Sequence, residues 1–318
     1  MRTPPLFFHA TIFALAMLLA ANLTYAARTQ SGRAPINAKA KGPAYKGAIV
    51  LDAGTGKVIF EDHADEISPP ASMTKLMTFA VLNDKLRAGA ITLATPVTVS
   101  AEDSHIGGTR VYLKEGETFH VEELIYAMMI ESANDAAYAL ACKIAGSQEA
   151  FVELMNAKAQ ALGMASTTFR SSHGLPPESR KIADGDLTTP RDFSKLCQYL
   201  IANTDILKYT SVRQMKFGAG ERTTGVIDMV NHNHLLGKVA GVDGFKTGYT
   251  KGAGYCLSTT ALRNGRRIIV VTMGSADRKT RDKKIMELIE KGFAELPPLP
   301  PKPAAVPANV KVAATAGK

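Results

Sequence analysis

Cysteine is scarce in this sequence, with three residues among 318. An odd and small number allows at most one internal disulfide, so disulfides do not supply the framework of the fold. Cys142, Cys197 and Cys256 all lie in apolar segments with helical or strand periodicity. Cysteine packs there as a small hydrophobic side chain, and we expect buried thiols. None of the three stands beside a plausible base, which gives a cysteine nucleophile little support.

Patterns for metal and nucleic-acid binding are also lacking. His232 and His234 form a single His-x-His pair without a third ligand group, so the sequence predicts no metal, and it predicts no other cofactor. Lys and Arg outnumber Asp and Glu by 38 to 29, a net charge of +9. No basic-aromatic motif accompanies this excess, and nucleic acid is not an expected partner. The charge suits an acidic envelope polymer or a membrane surface, and equally solubility alone.

The N-terminus has the pattern of an export signal. Met1 and Arg2 precede an apolar run from about Leu6 to Ala21, and small residues follow around Ala26. We interpret residues 1–26 as a signal peptide that is cleaved near Ala26. An uncleaved anchor is the alternative, because the apolar run is only slightly shorter than a membrane span.

The remaining chain divides into three parts by composition. Residues 27–45 are rich in small and basic residues and are predicted to be a linker, while 46–293 form the predicted folded domain. Residues 294–318 are rich in Pro and Ala and lack a packing period, which predicts an extended or disordered tail. We expect an exported protein, periplasmic or extracellular and soluble after cleavage, with at most peripheral membrane contact.

Within 46–293, strand patterns at both ends enclose a helical middle. A hairpin is predicted from Lys46 to Asp62 around a glycine-rich turn, and Asn264-Gly265 joins two later strands. The fold class is therefore α+β: an antiparallel sheet built from both ends, with a helical lobe inserted between the N- and C-terminal strands. The predicted later strands are Tyr255–Leu262 and Arg267–Met273, and the predicted helices are Met73–Arg87, Val121–Ile130, Asp135–Ala145, Gln148–Leu162, Pro190–Ala202 and Thr280–Phe293.

Ser72 and Lys75 form the first motif that can carry chemistry. Ser72 opens a helix, where the positive end of the dipole favours a developing alkoxide. Lys75 lies one turn further on the same face, so its amine can reach the hydroxyl. It can act as a base only without its proton, and burial or a nearby cation would favour that state. An N-cap serine followed by a surface lysine is the alternative, since Ser-x-x-Lys is common by chance.

Two further motifs follow in the chain. Ser132-Ala133-Asn134 lies between two predicted helices, where it could project into a cleft or serve only as an N-cap. Lys246-Thr247-Gly248 occupies a predicted strand edge, followed by Tyr249. A lysine and a threonine there offer a charge and a hydroxyl to a carboxylate, and the glycine lets a substrate backbone approach. An ordinary exposed strand is the alternative.

Together, in this order, the three motifs match the signature Ser-x-x-Lys, Ser-Asp-Asn and Lys-Thr-Gly. From about Lys46 to Phe293 the chain resembles the serine D-Ala-D-Ala carboxypeptidases, the low-molecular-mass penicillin-binding proteins, with a fold like that of β-lactamases and transpeptidases. His173-Gly174-Leu175 and Glu131–Ala136 belong to the resemblance as well. Ala133 departs from the Gly or Asp that relatives often carry; we expect this to be tolerated, because the flanking positions hold the polar groups.

The resemblance implies a role for each site residue. Ser72 attacks the carbonyl between the two D-alanines, and Lys75 takes its proton. Ser132 helps to pass a proton to the leaving amine, and Asn134 holds Lys75 and the substrate backbone. The remaining roles concern binding: Lys246 supplies positive charge, Thr247 binds the terminal carboxylate, Gly248 allows close approach, and the backbone N–H groups of Ser72 and Tyr249 form an oxyanion hole.

Arg281 completes the predicted set. Counted back from the end of the last helix, it takes the place of the family's carboxylate-binding arginine, and a guanidinium suits a carboxylate because its fork binds both oxygens. The strand Arg267–Met273, which leads into this helix, should lie close to the Lys246 edge. The alternative is a solvated charge on the helix surface, as Arg278 and Lys279 would be.

The expected function is hydrolysis of D-Ala-D-Ala stem peptides of peptidoglycan through an acyl-enzyme, with β-lactams as covalent inhibitors. A D,D-endopeptidase that cleaves cross-links uses the same residues and stays a serious alternative. A β-lactamase is less favoured, because residues 184–190 contain no glutamate to activate a deacylating water. A non-catalytic receptor would require a broken catalytic set, and none of the expected residues is missing.

Overall fold

The computed structural model describes residues 44–218, 222 and 225–296. The predicted signal peptide, nearly all of the linker and nearly all of the tail lie outside these residues. Nine strands occur in the described part: β1 (Gly47–Asp52), β2 (Val58–Asp62), β3 (Pro96–Thr98), β4 (Thr118–His120), β5 (Gln214–Phe217), β6 (Ile227–Val230), β7 (Val242–Thr250), β8 (Gly254–Arg263) and β9 (Arg266–Ser275).

Eight α-helices accompany these strands in the described residues. They are α1 (Lys75–Arg87), α2 (Ala101–His105), α3 (Val121–Tyr126), α4 (Asn134–Ala145), α5 (Gln148–Ala161), α6 (Pro190–Asn203), α7 (Ile206–Thr210) and α8 (Arg278–Glu295). Short 3-10 turns cover Ala71–Thr74 and Ile182–Asp184, and a π-helical turn covers Ala127–Glu131. No described helix is long and apolar enough to span a membrane.

The main sheet has five antiparallel strands in the order β2-β1-β9-β8-β7. The predicted sheet from both chain ends is confirmed. The first hairpin turns at Asp52, whose Oδ1 accepts hydrogen bonds from the N–H groups of Gly54 and Thr55 at 2.9 and 3.0 Å. The same carboxylate pairs with Arg266 of β9 at 2.6 Å, which locks the hairpin to the C-terminal strands.

Strand alternation divides the core between the two faces of the sheet. Ile49 of β1 points to the helical lobe and packs in one buried cluster with Phe79 and Phe193. Val50 points to the opposite face and packs in a second cluster with Ile285 of α8. The helical lobe therefore covers one face and α8 covers the other, as expected for a sheet whose strands are apolar on both faces.

The long predicted helices are confirmed with shifts of one or two residues at their ends, with one exception. The stretch predicted as Val121–Ile130 is α-helical only to Tyr126 and then widens into the π-helical turn, which ends at Ser132 in the left-handed conformation (φ 68°). The short elements β3–β6, α2 and α7 were not predicted, because three to five residues carry too little periodicity. All three cysteines are free; Cys197 and Cys256 are buried, whereas Cys142 is only partly buried.

Candidate active site

The nucleophile motif lies in a tightly packed turn at the start of α1. Ser72 belongs to the 3-10 turn Ala71–Thr74, and Lys75 is the first residue of the helix. A β-carbon on Gly248 of β7 would collide with the carbonyl of Pro70, and one on Gly174 would collide with the carbonyl of Ala71. Both glycines thus let the backbone of neighbouring segments press against the turn and fix it. For Gly248 this is a different reason from the predicted approach of a substrate.

Lys75 is the centre of the hydrogen-bond network. Its Nζ donates to Ser72 Oγ at 3.1 Å, to Asn134 Oδ1 at 2.6 Å and to the carbonyl of His173 at 2.7 Å. These three oxygens use all the donors that a protonated amine has. Asn134 is itself held, because its Nδ2 donates to the carbonyl of Gly107 at 2.8 Å. The first two predicted motifs therefore meet at Lys75.

Burial weakens the hold of Lys75 on its proton. The side chain is 0% exposed, and the desolvation of the ammonium lowers its pKa well below the usual value. The positive charge of Lys246 acts in the same direction, whereas Asp186 and Asp135 oppose it. The expected causes, burial and a nearby cation, are both present, and the amine is suited to accept a proton from Ser72.

Ser132 is placed by the strained end of the π-helical turn. Its left-handed backbone conformation is uncommon for a residue with a side chain, and it stands at the junction with α4. Ser132 is buried and lines the same cleft as Ser72. An N-cap role is wrong for this motif, since neither Ser132 nor Ala133 provides a side-chain cap for α4.

The third motif lies on β7, the strand that ends the main sheet. Lys246 and Thr247 are 2% and 7% exposed, so an ordinary exposed strand is wrong. Burial lowers the pKa of Lys246 to about 7, helped by the positive charge of Arg281 and opposed by the Glu131 carboxylate. Lys246 Nζ donates to the carbonyl of Thr247 at 3.3 Å. Lys75 and Lys246 are thus two buried amines, and the positive charge of Lys246 disfavours the charged form of Lys75.

Arg281 also lines the cleft and is only 3% exposed, so a role as a solvated surface charge is wrong. Its Nε and Nη2 donate to Asp282 Oδ1 at 2.9 and 2.7 Å, and its Nη1 donates to the carbonyl of Cys256 at 3.3 Å. These bonds use three of the five guanidinium donors and leave two for a ligand. The preceding strand β9 lies two places from β7 in the sheet, with β8 between them, and the Cys256 carbonyl of β8 anchors the guanidinium.

The cleft itself has a volume of about 370 Å³. Tyr249, 53% exposed, stands at its edge with its ring centroid 4.2 Å from that of Tyr255. His232 and His234 also face it, and burial together with the charge of Lys246 lowers the pKa of His232 to about 4. The predicted site residues that line the cleft are Ser72, Ser132, Thr247, Gly248, Tyr249 and Arg281.

Two contributors to the site were not predicted. His173 takes part through its backbone carbonyl, and burial lowers the pKa of its ring to about 3. Asp186 accepts hydrogen bonds from Thr74 Oγ1 at 2.8 Å and from the N–H groups of Arg170 and Ser171 at 2.7 and 2.9 Å. This carboxylate joins the loop that carries His173 to the nucleophile turn. In the sequence, residues 184–190 are informative only through their lack of a glutamate, which gives no role to Asp186.

His232 and His234 lie in a positive electrostatic environment. Across the described ranges, no cluster of three or more His, Cys, Asp and Glu side chains is arranged to hold a metal ion. His232 and His234 are instead surrounded by cations, among which Lys246, Arg278 and Arg281 lower the pKa of one or both rings. A metal cation placed between these two histidines would be repelled by the same positive charges.

Comparison with known proteins places this arrangement in a family. The model of the peptidase family described as D-alanyl-D-alanine carboxypeptidase matches residues 35–277. The chain is 37% identical over 252 residues to the D-alanyl-D-alanine carboxypeptidase DacC of Escherichia coli, covering 77% of this chain and 60% of DacC. It is 34% identical over 250 residues to DacF of Bacillus subtilis, covering 79% and 62%. The chain thus spans about three fifths of the length of these relatives.

Relatives with other descriptions match as well. A D-alanyl-D-alanine endopeptidase of Pseudomonas aeruginosa is 33% identical over 230 residues, 70% of each chain. The ampicillin-bound crystal structure of a penicillin-binding protein from Listeria monocytogenes superposes with a TM-score of 0.69 at 30% identity, covering 79% of this chain and 97% of that one. With the family model and the fold in agreement, the chain belongs to the D-alanyl-D-alanine carboxypeptidase family of peptidases, the low-molecular-mass penicillin-binding proteins.

Proposed function

We propose that this protein is a serine hydrolase that removes the terminal D-alanine from D-Ala-D-Ala stem peptides of peptidoglycan and is acylated by β-lactams. One observation carries the proposal: the amine of a fully buried lysine with a strongly lowered pKa lies 3.1 Å from Ser72 Oγ, and Ser72 lines an open cleft. A serine becomes a nucleophile when a positioned base can take its proton, and Lys75 meets that requirement.

Acylation follows from this pair. Ser72 Oγ attacks the carbonyl between the two D-alanines while the neutral amine of Lys75 takes the hydroxyl proton. The tetrahedral oxyanion lies between the backbone N–H groups of Ser72 and Tyr249. Such a donor typically contributes about a hundred- to a thousandfold in rate. The C–N bond then breaks as Ser132 passes a proton to the leaving amine, and water hydrolyses the resulting ester.

Asn134 and the cations of the cleft arrange the reactants. Asn134 holds Lys75 through its Oδ1, and in the complex its Nδ2 would contact the substrate backbone. Thr247 binds the terminal carboxylate, with Arg281 supplying its two remaining N–H donors and Lys246 adding positive potential. The binding roles of Thr247 and Arg281 are supported by the cleft that both residues line, and that of Lys246 by its place beside Thr247 on β7.

A D,D-endopeptidase is the second candidate, and the Pseudomonas aeruginosa relative with that description favours keeping it. Both reactions share the acyl-enzyme, so the difference lies in whether the leaving D-amino acid carries a free carboxylate. Incubation with a D-Ala-D-Ala pentapeptide and with a cross-linked dimer separates them. Release of D-alanine from the pentapeptide alone supports the carboxypeptidase; cleavage of the dimer at an equal rate supports the endopeptidase.

The β-lactamase and receptor alternatives differ from the proposed carboxypeptidase in which substrate they turn over. Residues 184–190 provide no glutamate near the cleft to activate water for rapid penicillin hydrolysis. We therefore expect a long-lived penicilloyl-enzyme, together with catalytic release of D-alanine. A receptor would instead bind penicillin stoichiometrically and release no D-alanine.

The direct test is covalent labelling with a fluorescent penicillin. Labelling of the purified protein and its complete loss in Ser72→Ala are the expected results. Ser211→Ala, which alters an exposed serine in a turn after α7, is the matched control and should label normally. Undiminished labelling of a folded Ser72→Ala protein would refute the acyl-enzyme mechanism.

Export is part of the proposal. The basic start, apolar run and small-residue site of residues 1–26 support cleavage near Ala26 and a mature protein outside the cytoplasm. N-terminal sequencing of the protein recovered from the cell envelope or medium tests this. A mature N-terminus near Ala27 is expected, and recovery only in detergent with residues 1–26 intact would contradict it.

A further inference from the structure

A small polar pocket of about 160 Å³ adjoins the active-site cleft, and His234 lines both. Arg213 and Gln214 at the start of β5 line this pocket, together with Val230 at the end of β6 and side chains of the turn 231–238. We call it the β6 pocket. None of the roles proposed above uses it.

The β6 pocket lies toward the beginning of β7, the strand that carries the third motif. Asn233, which lines the pocket, donates from Nδ2 to the carbonyl of Gly244 at 3.3 Å, and Gly244 precedes Thr247 on that strand. On the proposed function, Thr247 and Arg281 hold the carboxylate of the leaving D-amino acid. Arg281 and His234 line the same cleft, and His234 leads into the pocket. The β6 pocket is therefore the space beside the leaving group.

Arg213 and Lys238 give the β6 pocket its charge. Both side chains are exposed, and among the described residues neither has an ion-pair partner. The guanidinium lies against the backbone of Gly237, where a β-carbon would stand 3.1 Å from Nη1. The segments that line the pocket, 213–214 and 230–238, contain no acidic residue. The pocket thus holds two cations without a counter-ion of its own.

Carboxylates on the neighbouring elements are engaged by other groups. They are Asp228, paired with Lys216; Asp243, paired with Arg267; Asp282, paired with Arg281; and Glu131, which accepts from the N–H of Val230. The positive charge of Lys246 also acts on Glu131. Burial and the charge of Arg278 lower the pKa of His234, so its ring is neutral at pH 7 and Arg278 adds a positive charge beside it. The field at the β6 pocket is therefore positive.

The turn that forms the wall of the pocket is fixed by two buried amide side chains. Asn231 Oδ1 accepts from the N–H of Asn233 at 2.9 Å, and Asn233 Oδ1 accepts from the N–H of Leu235 at 3.2 Å. Asn231 Nδ2 donates to the carbonyls of Thr210 and Val212 at 3.1 and 2.9 Å. The backbone that presents the pocket is thus already ordered, which lowers the entropic cost of binding a ligand there.

From these observations we propose that the β6 pocket binds an anionic group carried by the leaving amino acid, beyond the α-carboxylate held by Thr247 and Arg281. The site then favours leaving residues with a longer side chain that ends in a carboxylate. Free D-alanine has only a methyl side chain, so its release does not depend on Arg213 and Lys238. This inference rests on the proposed function and names the class of leaving group that the site prefers.

The pocket also bears on the endopeptidase candidate. The released half of a cross-linked dimer is larger than D-alanine and extends past the α-carboxylate. The β6 pocket gives such a leaving group a binding partner that removal of D-alanine does not use.

Four synthetic acyl-D-Ala-X peptides test the proposal. X is D-alanine or a D-amino acid whose side chain, of one fixed length, ends in a carboxylate, a methyl group or an amine. Among the three long side chains, we expect the unmodified protein to show the highest kcat/KM on the carboxylate peptide and the lowest on the amine peptide. The difference should shrink at high ionic strength.

Arg213→Glu/Lys238→Glu should lower kcat/KM for the carboxylate peptide about fivefold, because exposed ion pairs contribute little each. It should improve the amine peptide, leave the D-alanine peptide within about twofold and label normally with penicillin. Lys238→Glu alone should give part of the loss. Lys57→Glu/Lys143→Glu is the matched control, since it makes the same change in net charge at two exposed lysines that do not line the pocket. It should change all four peptides equally and slightly.

Two results would overturn the proposed leaving-group selectivity while D-alanine release shows the hydrolase intact. One is an unmodified protein that hydrolyses the three long-side-chain peptides at one rate, and the other is a double variant that changes all four rates equally. An unmodified protein that binds penicillin but hydrolyses none of the peptides would refute the proposed function, and this inference with it.

Discussion

Lys75, which contacts Ser72, and Arg281, which lines the cleft, are both buried basic side chains, but their hydrogen-bond partners differ. Lys75 is 0% exposed, and its hydrogen-bond acceptors are two side-chain oxygens and a carbonyl without charge. Arg281 is 3% exposed, and its main acceptor is the carboxylate of Asp282. Burial without a paired carboxylate favours the neutral form of an amine, whereas a guanidinium stays protonated in proteins. On the proposed mechanism, residue type at similar depth therefore suits Lys75 to proton transfer and Arg281 to binding an anion.

The largest effect should come from removing the base. In Lys75→Met the side chain keeps its length and burial but cannot accept a proton, and we expect acylation by penicillin to fall about a hundred- to ten-thousandfold. Rapid-quench labelling measures the rate. The double variant with Ser72→Ala should be no worse than Ser72→Ala alone, because nucleophile and base act as a unit. Labelling at the unmodified rate by a folded Lys75→Met protein would mean that another group is the base.

A smaller loss of kcat/KM, selective for substrates with a free carboxylate, is expected from removing the Arg281 guanidinium. Arg281→Ala should lower kcat/KM for D-Ala-D-Ala peptides about 10- to 100-fold, the usual contribution of a hydrogen bond to a charged group. A thioester substrate with an uncharged leaving group should lose at most about threefold. Arg281→Lys should recover part of the loss. Equal losses on both substrates, with a lowered unfolding midpoint, would show that Arg281 supports the fold instead of binding the chain end.

The charge coupling between the two buried lysines can be tested through pH. The positive charge of Lys246 contributes to the lowered pKa of Lys75. Acylation needs neutral Lys75, so its rate falls as pH drops below that pKa. Lys246→Met removes the neighbouring charge, raises the pKa of Lys75 and should move the acid limb of the acylation profile to higher pH. Lys57→Met, an exposed lysine in the first hairpin, is the control; an acid limb that stays in place in Lys246→Met would contradict the coupling.

The smallest effect is expected from the exposed cation of the same cleft. Arg278 lines it beside Arg281 but is open to solvent. Arg278→Ala should lower kcat/KM for D-Ala-D-Ala peptides no more than about threefold, and the difference should vanish at high ionic strength. Steady-state kinetics at low and high salt measure this. A salt-independent loss as large as that of Arg281→Ala would remove the distinction between buried and exposed cations.

The sequence predicted the parts of the site that depend on side-chain type and local spacing. Ser72 and Lys75 are one helical turn apart, so their contact follows from helix geometry. The sheet followed from strand patterns at both ends of the chain. The long-range hydrogen-bond partners did not follow from the sequence. Thr74 and Asp186, for example, are separated by 112 positions, and no local pattern relates them. A backbone acceptor such as the His173 carbonyl leaves no trace in residue type at all.

The glycine of the third motif shows a different limit. Its residue type was correctly read as a sign of close approach, but the partner was not predictable. The structure shows the carbonyl of Pro70 beside Gly248, so the glycine helps to dock the nucleophile turn on β7. In the same way Ser132 was placed between two helices, yet its left-handed conformation depends on the π-helical turn before it, and that turn has no sequence signal.

On the proposed mechanism, the two buried amines Lys75 and Lys246 bring activity and thermodynamic stability into conflict. A fold gains nothing from enclosing Lys75 and Lys246, and apolar side chains of similar length would fill the same space without the desolvation penalty. A stabilisation screen that scores only resistance to heat would therefore select replacements at both positions and produce a sturdier, inert protein. Engineering of this chain for durability should hold those two lysines fixed and search elsewhere.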